Sequence, residues 1–176
     1  MELLELMRHR RSVRHYTGEP IQEEDLKKIL QAGMLSASGK GRRPWEFILV
    51  RDKEMLKKLS LCREGAANQR MFLEAGAAIV ILGESALADT WIEDCSSVMT
   101  NMHLMADALG LGSCWIQGRL RPAVDGQSTD AYVRQLLGFP EPYMLAATLV
   151  VGVCQDHPAP YELEQLPSEK IHFEVF

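Results

Sequence analysis

Short runs of apolar residues alternate along the chain with segments whose apolar side chains recur at helical spacing. We expect strands at residues 46–50, 77–83, 113–117 and 144–153, and the last of these is a long apolar run. The helical segments cover residues 22–35, 52–61, 92–109 and 129–137. Because both patterns are spread over 176 residues, an ordinary size for one domain, we expect a single α/β or α+β domain.

The composition narrows the classes of function. A net charge of −5 argues against a protein that mainly coats nucleic acid or an anionic membrane. The longest apolar runs are far shorter than the roughly 20 residues of a membrane span. The chain begins without the apolar core of a secretory signal. Its four cysteines form no CxxC or CxH pair, so we expect reduced thiols in a cytoplasmic protein without a metal cluster.

Two familiar phosphate-binding patterns fail on inspection. Residues 110–115 begin like a dinucleotide fingerprint, but Trp115 replaces the third small residue and a helix precedes the pattern in place of a strand. Gly33 and Lys40 resemble the ends of a Walker loop, but the spacing is too long and no Ser or Thr follows the lysine. No two histidines share a helix face at metal-ligand spacing, and we expect His103 to be structural or solvent-facing.

Three arginines and a serine, Arg10, Arg11, Ser12 and Arg14, form the densest group of candidate binding residues. Guanidinium groups offer forked, permanently charged donors, which suit an anion with several oxygens such as a phosphate monoester. A solvated basic face is an equally good interpretation of the same residues. A nucleic-acid arm is the weakest interpretation, because the whole chain is acidic.

A second candidate is the loop of small and basic residues at 36–43, which Pro44 and Trp45 close. Small residues let a flat ligand approach the backbone, and the loop's serines and basic side chains offer hydrogen bonds and positive charge. An exposed basic loop is the alternative. Asn68 suits a heterocycle because its amide both donates and accepts hydrogen bonds. Trp115 is expected to pack against a planar ligand or in the core.

Taken together, these stretches resemble the nitroreductase family of FMN-dependent oxidoreductases. Residues 10–14 resemble the family's RRSxR signature, and residues 36–45 are similar to its small-residue loop that ends in QPW. Residues 109–116 look like its LGLGxCW segment. Residues 132–140 and 150–153 resemble its closing helix and strand.

The resemblance implies an α+β three-layer sandwich, in which helices flank a mostly antiparallel central sheet. It implies a homodimer with two FMN sites at the subunit interface. Residues 1–154 would form the FMN-binding domain, and residues 155–176 an exchanged C-terminal arm that packs on the partner subunit. The polar composition of this arm agrees with such a place, and residues 170–176 alternate like an edge strand.

By the same resemblance, the arginine-rich segment holds the phosphate, ribityl chain and pyrimidine edge, and Asn68 lies near the flavin ring. The loop reaches the flavin from the other subunit, and residues 114–116 contact it mainly through their backbone. The implied FMN-binding residues are Arg10, Arg11, Ser12, Arg14, Leu35, Ser36, Ala37, Ser38, Gly39, Asn68, Cys114, Trp115 and Ile116.

The chain departs from the family pattern at two places. Gly41 and Arg43 stand where members often have Asn and Gln, which removes side-chain donors near the ring or the substrate. A C-terminal basic residue that often contacts the phosphate is not evident. Arg10, or else Lys40 together with Arg42, supplies the missing charge in our interpretation.

The activity implied by the resemblance is a ping-pong transfer of hydride through FMN. NAD(P)H delivers the hydride and leaves, and a nitroaromatic, a quinone or a similar flat acceptor takes its place. Arg14 is the candidate that stabilises negative charge on the reduced ring. Two alternatives stay open: a flavin-binding protein of the same fold without broad reductase activity and, less favoured, a basic-arm RNA-binding module.

Overall fold

Six helices and four strands make up the computed structural model, which describes residues 2–176. The helices are α1 (Leu3–His9), α2 (Glu23–Met34), α3 (Lys53–Leu59), α4 (Ala66–Glu74), α5 (Trp91–Ala108) and α6 (Thr129–Leu137). The strands are β1 (Trp45–Val50), β2 (Ala77–Glu84), β3 (Leu111–Gln117) and β4 (Tyr143–Val153). Single 3-10 turns follow α2 and α3 and recur near the C-terminus.

The strands form one sheet in the order β1-β2-β4-β3, and every neighbouring pair is antiparallel. Successive residues of β2 point to opposite faces, and both faces are buried. Val80 and Leu82 pack with residues of α3, α4 and α6, whereas Ile79 and Ile81 pack with α2 and α5. The expected three-layer α+β sandwich, with helices on both sides of a mostly antiparallel sheet, is therefore confirmed.

Local signals place most helix ends where the sequence predicts them. The Asp52 carboxylate accepts the backbone N–H of Met55 at 2.8 Å and so caps α3. The Ser128 hydroxyl accepts from Ala131 at 3.1 Å at the start of α6, and Gly138 ends that helix in the left-handed conformation.

Two segments differ from expectation. Residues 66–74 form α4, which the sequence pattern did not predict, because only Met71 and Phe72 of this helix are buried and the helical period is weak. The expected edge strand at residues 170–176 is wrong. This segment is exposed and pairs with no strand of the sheet, so alternation of apolar residues alone did not make it a strand.

The segment between α1 and α2 follows the edge of the sheet beside β3. Ser12 forms a parallel bridge with Ser113, and Tyr16 forms an antiparallel bridge with Cys154. Beyond Cys154 the chain is largely exposed, although the Tyr161 backbone N–H donates to the Arg8 carbonyl at 3.0 Å. Within residues 2–176, no helix combines the length and apolar character that a membrane crossing requires.

Candidate functional site

A cavity of about 260 Å³ lies between the arginine-rich segment, α5 and β3. Arg10 and Ser12 line it from the segment, Thr100 and His103 from the helix, and Trp115 from the strand. A guanidinium, two hydroxyls, an imidazole and an indole therefore face one space. Such a set offers hydrogen-bond donors and acceptors for an anionic, partly aromatic ligand.

Val13 and Gly112 fix the position of the arginine-rich segment. The backbone N–H of Val13 donates to the Ser113 carbonyl at 3.0 Å, and the Val13 side chain is buried against the sheet. A Cβ on Gly112 would stand 2.6 Å from a methyl carbon of Val13, so only glycine lets the two backbones approach this closely. With Val13 turned into the core, the extended backbone directs Ser12 to the other side.

His103 is neutral at physiological pH. Its Nδ1 lies 2.8 Å from the Ser113 hydroxyl, and the side chain is buried. Burial, together with the positive charge of Arg10, lowers the pKa of His103 to about 4, although Asp107 acts in the opposite direction. The expected solvent-facing position of His103 is therefore wrong, and its structural alternative stays a prediction, because the residue also lines the cavity.

Arg11 and Arg14 point elsewhere. The Arg11 guanidinium stacks 4.3 Å above the Tyr161 ring and donates to the Ala159 carbonyl, so it binds the C-terminal arm of its own chain. Arg14 is exposed and makes a long contact of 3.4 Å with the Ser12 carbonyl. Of the four residues predicted in this segment, the structure brings two, Arg10 and Ser12, to the cavity.

The small-residue loop lies along α5, outside the cavity lining. Buried Ser36 accepts a hydrogen bond from the Asn101 amide at 2.8 Å, and the Gly39 N–H donates to the Asp94 carboxylate at 2.8 Å. Leu35 is 84% exposed and Ala37 is exposed, whereas Ser38 is half-buried. The loop thus presents its exposed side chains away from its own domain.

The remaining predicted residues are three consecutive residues of β3, which point to opposite faces of the sheet, and Asn68 on α4. Cys114 and Ile116 turn their side chains into the core, where burial raises the pKa of the Cys114 thiol, while Trp115 faces α5. Only the backbone of Cys114 and Ile116 is therefore left for a ligand. Asn68 lies on α4, where its amide donates to the Glu64 carbonyl at 2.6 Å, and it does not line the cavity.

Helix α5 supplies the site residues that the sequence did not indicate. Thr100 and His103 line the cavity, and Asp94 and Asn101 hold the loop. Each is a polar residue within a helix whose apolar side chains recur every three or four positions. That interruption of the pattern is the signal that could have found them.

Comparisons with known proteins agree with this arrangement. The model of the Nitroreductase family matches residues 7–62 and 57–153. A protein of Archaeoglobus fulgidus, provisionally named as an NADH dehydrogenase/NAD(P)H nitroreductase, is 36% identical over 178 residues, with 98% of each chain covered. A protein of Methanothermobacter thermautotrophicus with the same provisional name is 33% identical and covers 99% of this chain and 87% of its own.

A solved structure extends the likeness to three dimensions. The FMN-dependent nitroreductase of Clostridium difficile superposes with a TM-score of 0.93 at 39% identity. The superposition covers 99% of this chain and 100% of the other. Sequence and architecture therefore agree from one end of the domain to the other, and this chain belongs to the nitroreductase family.

Proposed function

We propose that this protein is an FMN-dependent oxidoreductase that takes hydride from NAD(P)H and reduces nitroaromatics, quinones or similar flat acceptors in a ping-pong cycle. The observation that carries the proposal is the cavity between the arginine-rich segment, α5 and β3. Membership of the nitroreductase family supports it, as does the 39% identity with an FMN-dependent nitroreductase.

The residues around the cavity fit FMN chemically. Arg10 offers a permanent positive charge for a phosphate or for an electron-rich ring edge, and Ser12 and Thr100 offer hydroxyl hydrogen bonds. Trp115 adds an aromatic surface. His103 carries no charge at neutral pH, because its pKa is lowered to about 4, so it accepts or donates a hydrogen bond without adding repulsion beside Arg10.

FMN, when bound, supplies the redox chemistry, and the protein supplies placement and electrostatics. In the proposal, Arg10, Ser12 and the backbone of Cys114, Trp115 and Ile116 orient the cofactor, and Arg14 places positive charge near the reduced ring. The exposed Arg14 side chain is free to turn toward such a ligand, whereas Arg11 must first leave Tyr161 and Ala159. Asn68 must likewise exchange its contact with Glu64 to reach a ring.

The proposed assembly is a homodimer in which each subunit completes the site of the other. Leu35, Ser36, Ala37, Ser38 and Gly39 would reach the flavin bound by the partner, which gives the strongly exposed Leu35 an apolar neighbour. Residues 155–176 would pack on the partner as an arm beside the FMN-binding domain of residues 1–154. The exposed Ile171, Phe173 and Phe176 offer apolar surface for that contact.

The visible absorption spectrum of the purified protein tests the proposal. We expect flavin bands, their loss on anaerobic addition of NADH or NADPH, and their return when a quinone is added. Initial rates at several acceptor concentrations should give the parallel double-reciprocal lines of a ping-pong cycle. Arg10→Ala should lower FMN affinity. Arg51→Ala is the matched control, because Arg51 pairs with Glu23 on the surface and does not line the cavity.

Three results decide between the functions. A colourless protein that binds no added FMN contradicts the proposal. A yellow protein whose flavin is not reduced by NADH or NADPH is a flavin-binding protein without the proposed activity. The RNA-binding alternative predicts salt-sensitive RNA binding by the arginine-rich segment, and it is disfavoured because Arg8 and Arg11 already bind Glu5 and the C-terminal arm.

A further inference from the structure

Two histidines and an aspartate from distant parts of the chain meet outside the proposed flavin cavity. His9 ends α1, Asp107 lies in the last turn of α5, and His157 begins the C-terminal arm. One ligand atom of each lies within 4.8 Å of those of the other two. The His9 Nδ1 is 2.8 Å from one Asp107 oxygen, and the His157 Nε2 is 3.3 Å from the other.

A contact on the far side of His157 orients its imidazole ring. Its Nδ1 lies 2.7 Å from the Pro158 carbonyl oxygen, which accepts hydrogen bonds and cannot donate them. When Nδ1 donates this hydrogen bond, Nε2 on the opposite side of the ring is available as a metal ligand, and it faces the Asp107 carboxylate.

Asp107 offers a suitable third ligand. Its carboxylate is buried, with 5% of the side chain exposed, and a positive partner lowers the free-energy cost of burying a carboxylate. Among residues 2–176, the groups within ion-pair distance of Asp107 are the two histidines, and no lysine or arginine joins them. Arg10, which follows His9 in the sequence, lines the neighbouring cavity instead.

We propose that His9, Asp107 and His157 bind a divalent transition-metal ion of borderline softness, with Zn²⁺ as the preferred ion. Two imidazoles and one carboxylate are a common three-ligand set for Zn²⁺, and bonds of about 2.0 Å in a tetrahedron put ligand atoms about 3.3 Å apart. The His9–Asp107 and His157–Asp107 contacts of 2.8 and 3.3 Å lie near this separation, and the two imidazole rings, which stack with their centroids 4.4 Å apart, would rotate so that both nitrogens face one ion. The Pro158 carbonyl is the outer hydrogen-bond partner that metal-bound histidines usually have.

The surroundings leave room for the fourth ligand. A cavity of about 240 Å³ borders the three side chains and is completed by Gly110, Leu111 and Cys154. A water molecule can therefore complete the coordination, and His9 remains partly exposed, which gives the ion a path from solvent.

The ion would join three segments that lie far apart along the chain. His157 belongs to the arm, and His9 immediately precedes Arg10 of the flavin cavity. Bound metal therefore fixes the start of the arm and the end of α1 to α5. The proposal stands apart from the flavin proposal, because no residue of the metal site lines the flavin cavity.

The experiment measures Zn²⁺ binding to the full-length protein after chelator treatment and dialysis. Competition with a chromogenic chelator should give one ion per chain, and Zn²⁺ should raise the melting temperature. Co²⁺ should give the visible absorption bands of tetrahedral coordination. His157→Gln should lower Zn²⁺ affinity at least about 100-fold, since it removes one of three ligands. His172→Gln, at the other histidine of the arm, which is exposed and outside the cluster, is the control.

Each outcome decides the proposal. One equivalent of Zn²⁺ that is lost in His157→Gln and kept in His172→Gln supports it. Absence of stoichiometric binding overturns it. Equal binding by wild type and His157→Gln overturns it as well. His157→Gln is preferred to Asp107→Asn as the test variant. His157 lies on the arm, whereas Asp107 is buried at the end of α5, where a substitution can disrupt folding.

Discussion

Gly39 allows the small-residue loop to pack on the start of α5, and adding one methyl group tests that packing. A Cβ on Gly39 would stand 2.3 Å from the Thr90 hydroxyl oxygen, whereas ordinary contacts begin at 3.4 Å. The hydroxyl can escape this overlap of about 1 Å only by turning away. It would then lose its 3.1 Å hydrogen bond to the Asp94 carboxylate, which also accepts from the Gly39 N–H.

We therefore expect Gly39→Ala to lower the free energy of unfolding by roughly 1–3 kcal/mol, as overpacking usually does. In a Thr90→Ala background the nearest remaining atom is the Cβ of residue 90, at 3.3 Å, which is tight but tolerable. The same Gly39→Ala change should there cost less than about 1 kcal/mol. The entropic effect of replacing glycine in the unfolded chain is the same in both backgrounds and cancels in the comparison.

The assay is a double-mutant cycle of four proteins, unfolded in urea at equal concentration and followed by tryptophan fluorescence. A coupling free energy of roughly 1–2 kcal/mol between positions 39 and 90 is the expected result. An equal cost of Gly39→Ala in both backgrounds would refute the steric reasoning. If the loop completes the flavin site, FMN affinity should follow the same pattern: reduced by Gly39→Ala alone and partly restored by adding Thr90→Ala.

Three further predictions concern single residues. The pKa of His103 is about 4 in the folded protein and about 6.5 in the unfolded chain, so between these values only the unfolded chain binds a proton at this residue. Proton binding to the unfolded chain should therefore lower the free energy of unfolding by about 2 kcal/mol between pH 7 and pH 5. The urea midpoint of His103→Gln should lack this decrease between pH 7 and pH 5. An equal decrease in wild type and His103→Gln would contradict a neutral His103 in the folded protein. Asn101→Ala leaves buried Ser36 with only its 3.4 Å contact to Ala32 and should cost roughly 1–2 kcal/mol in urea unfolding. Asp52→Ala should cost about 1 kcal/mol by loss of the α3 cap, whereas Asp52→Asn should retain most of the stability.

The elements that the sequence predicts best are those with a strong hydrophobic pattern, either a continuous apolar run or a helical period. β2 and β4 are buried on both faces and therefore appear as continuous apolar runs, and α5 buries one side along its whole length. α4 escapes prediction because two buried side chains do not make a period. Residues 170–176 show the converse error, since their alternation has no neighbouring strand to pair with.

In the candidate site, too, the residues within one short segment can be predicted from the sequence, and their distant partners cannot. The sequence indicates Arg10 and Ser12 as candidates because an arginine-rich segment can be recognised from a few consecutive residues, and both line the cavity. The partners that position the site are not local: Asp94 lies 55 residues from Gly39, and Asn101 lies 65 residues from Ser36. Spacing along the chain cannot indicate such pairs, because tertiary packing alone brings them together.

Helix α5 shows why distant partners nevertheless converge. Its apolar side packs on the sheet, and each polar residue near that side meets a different segment of the chain: Asp94 holds Gly39, Asn101 holds Ser36, and His103 meets Ser113. Asp107 extends the series by one turn and meets His9 and His157. Since a buried polar group costs free energy unless it is paired, each interruption of the apolar pattern implies a partner somewhere in the fold. The long helix therefore joins the loop, the proposed flavin cavity and the proposed metal site, because each of them contains a partner of one of its polar side chains.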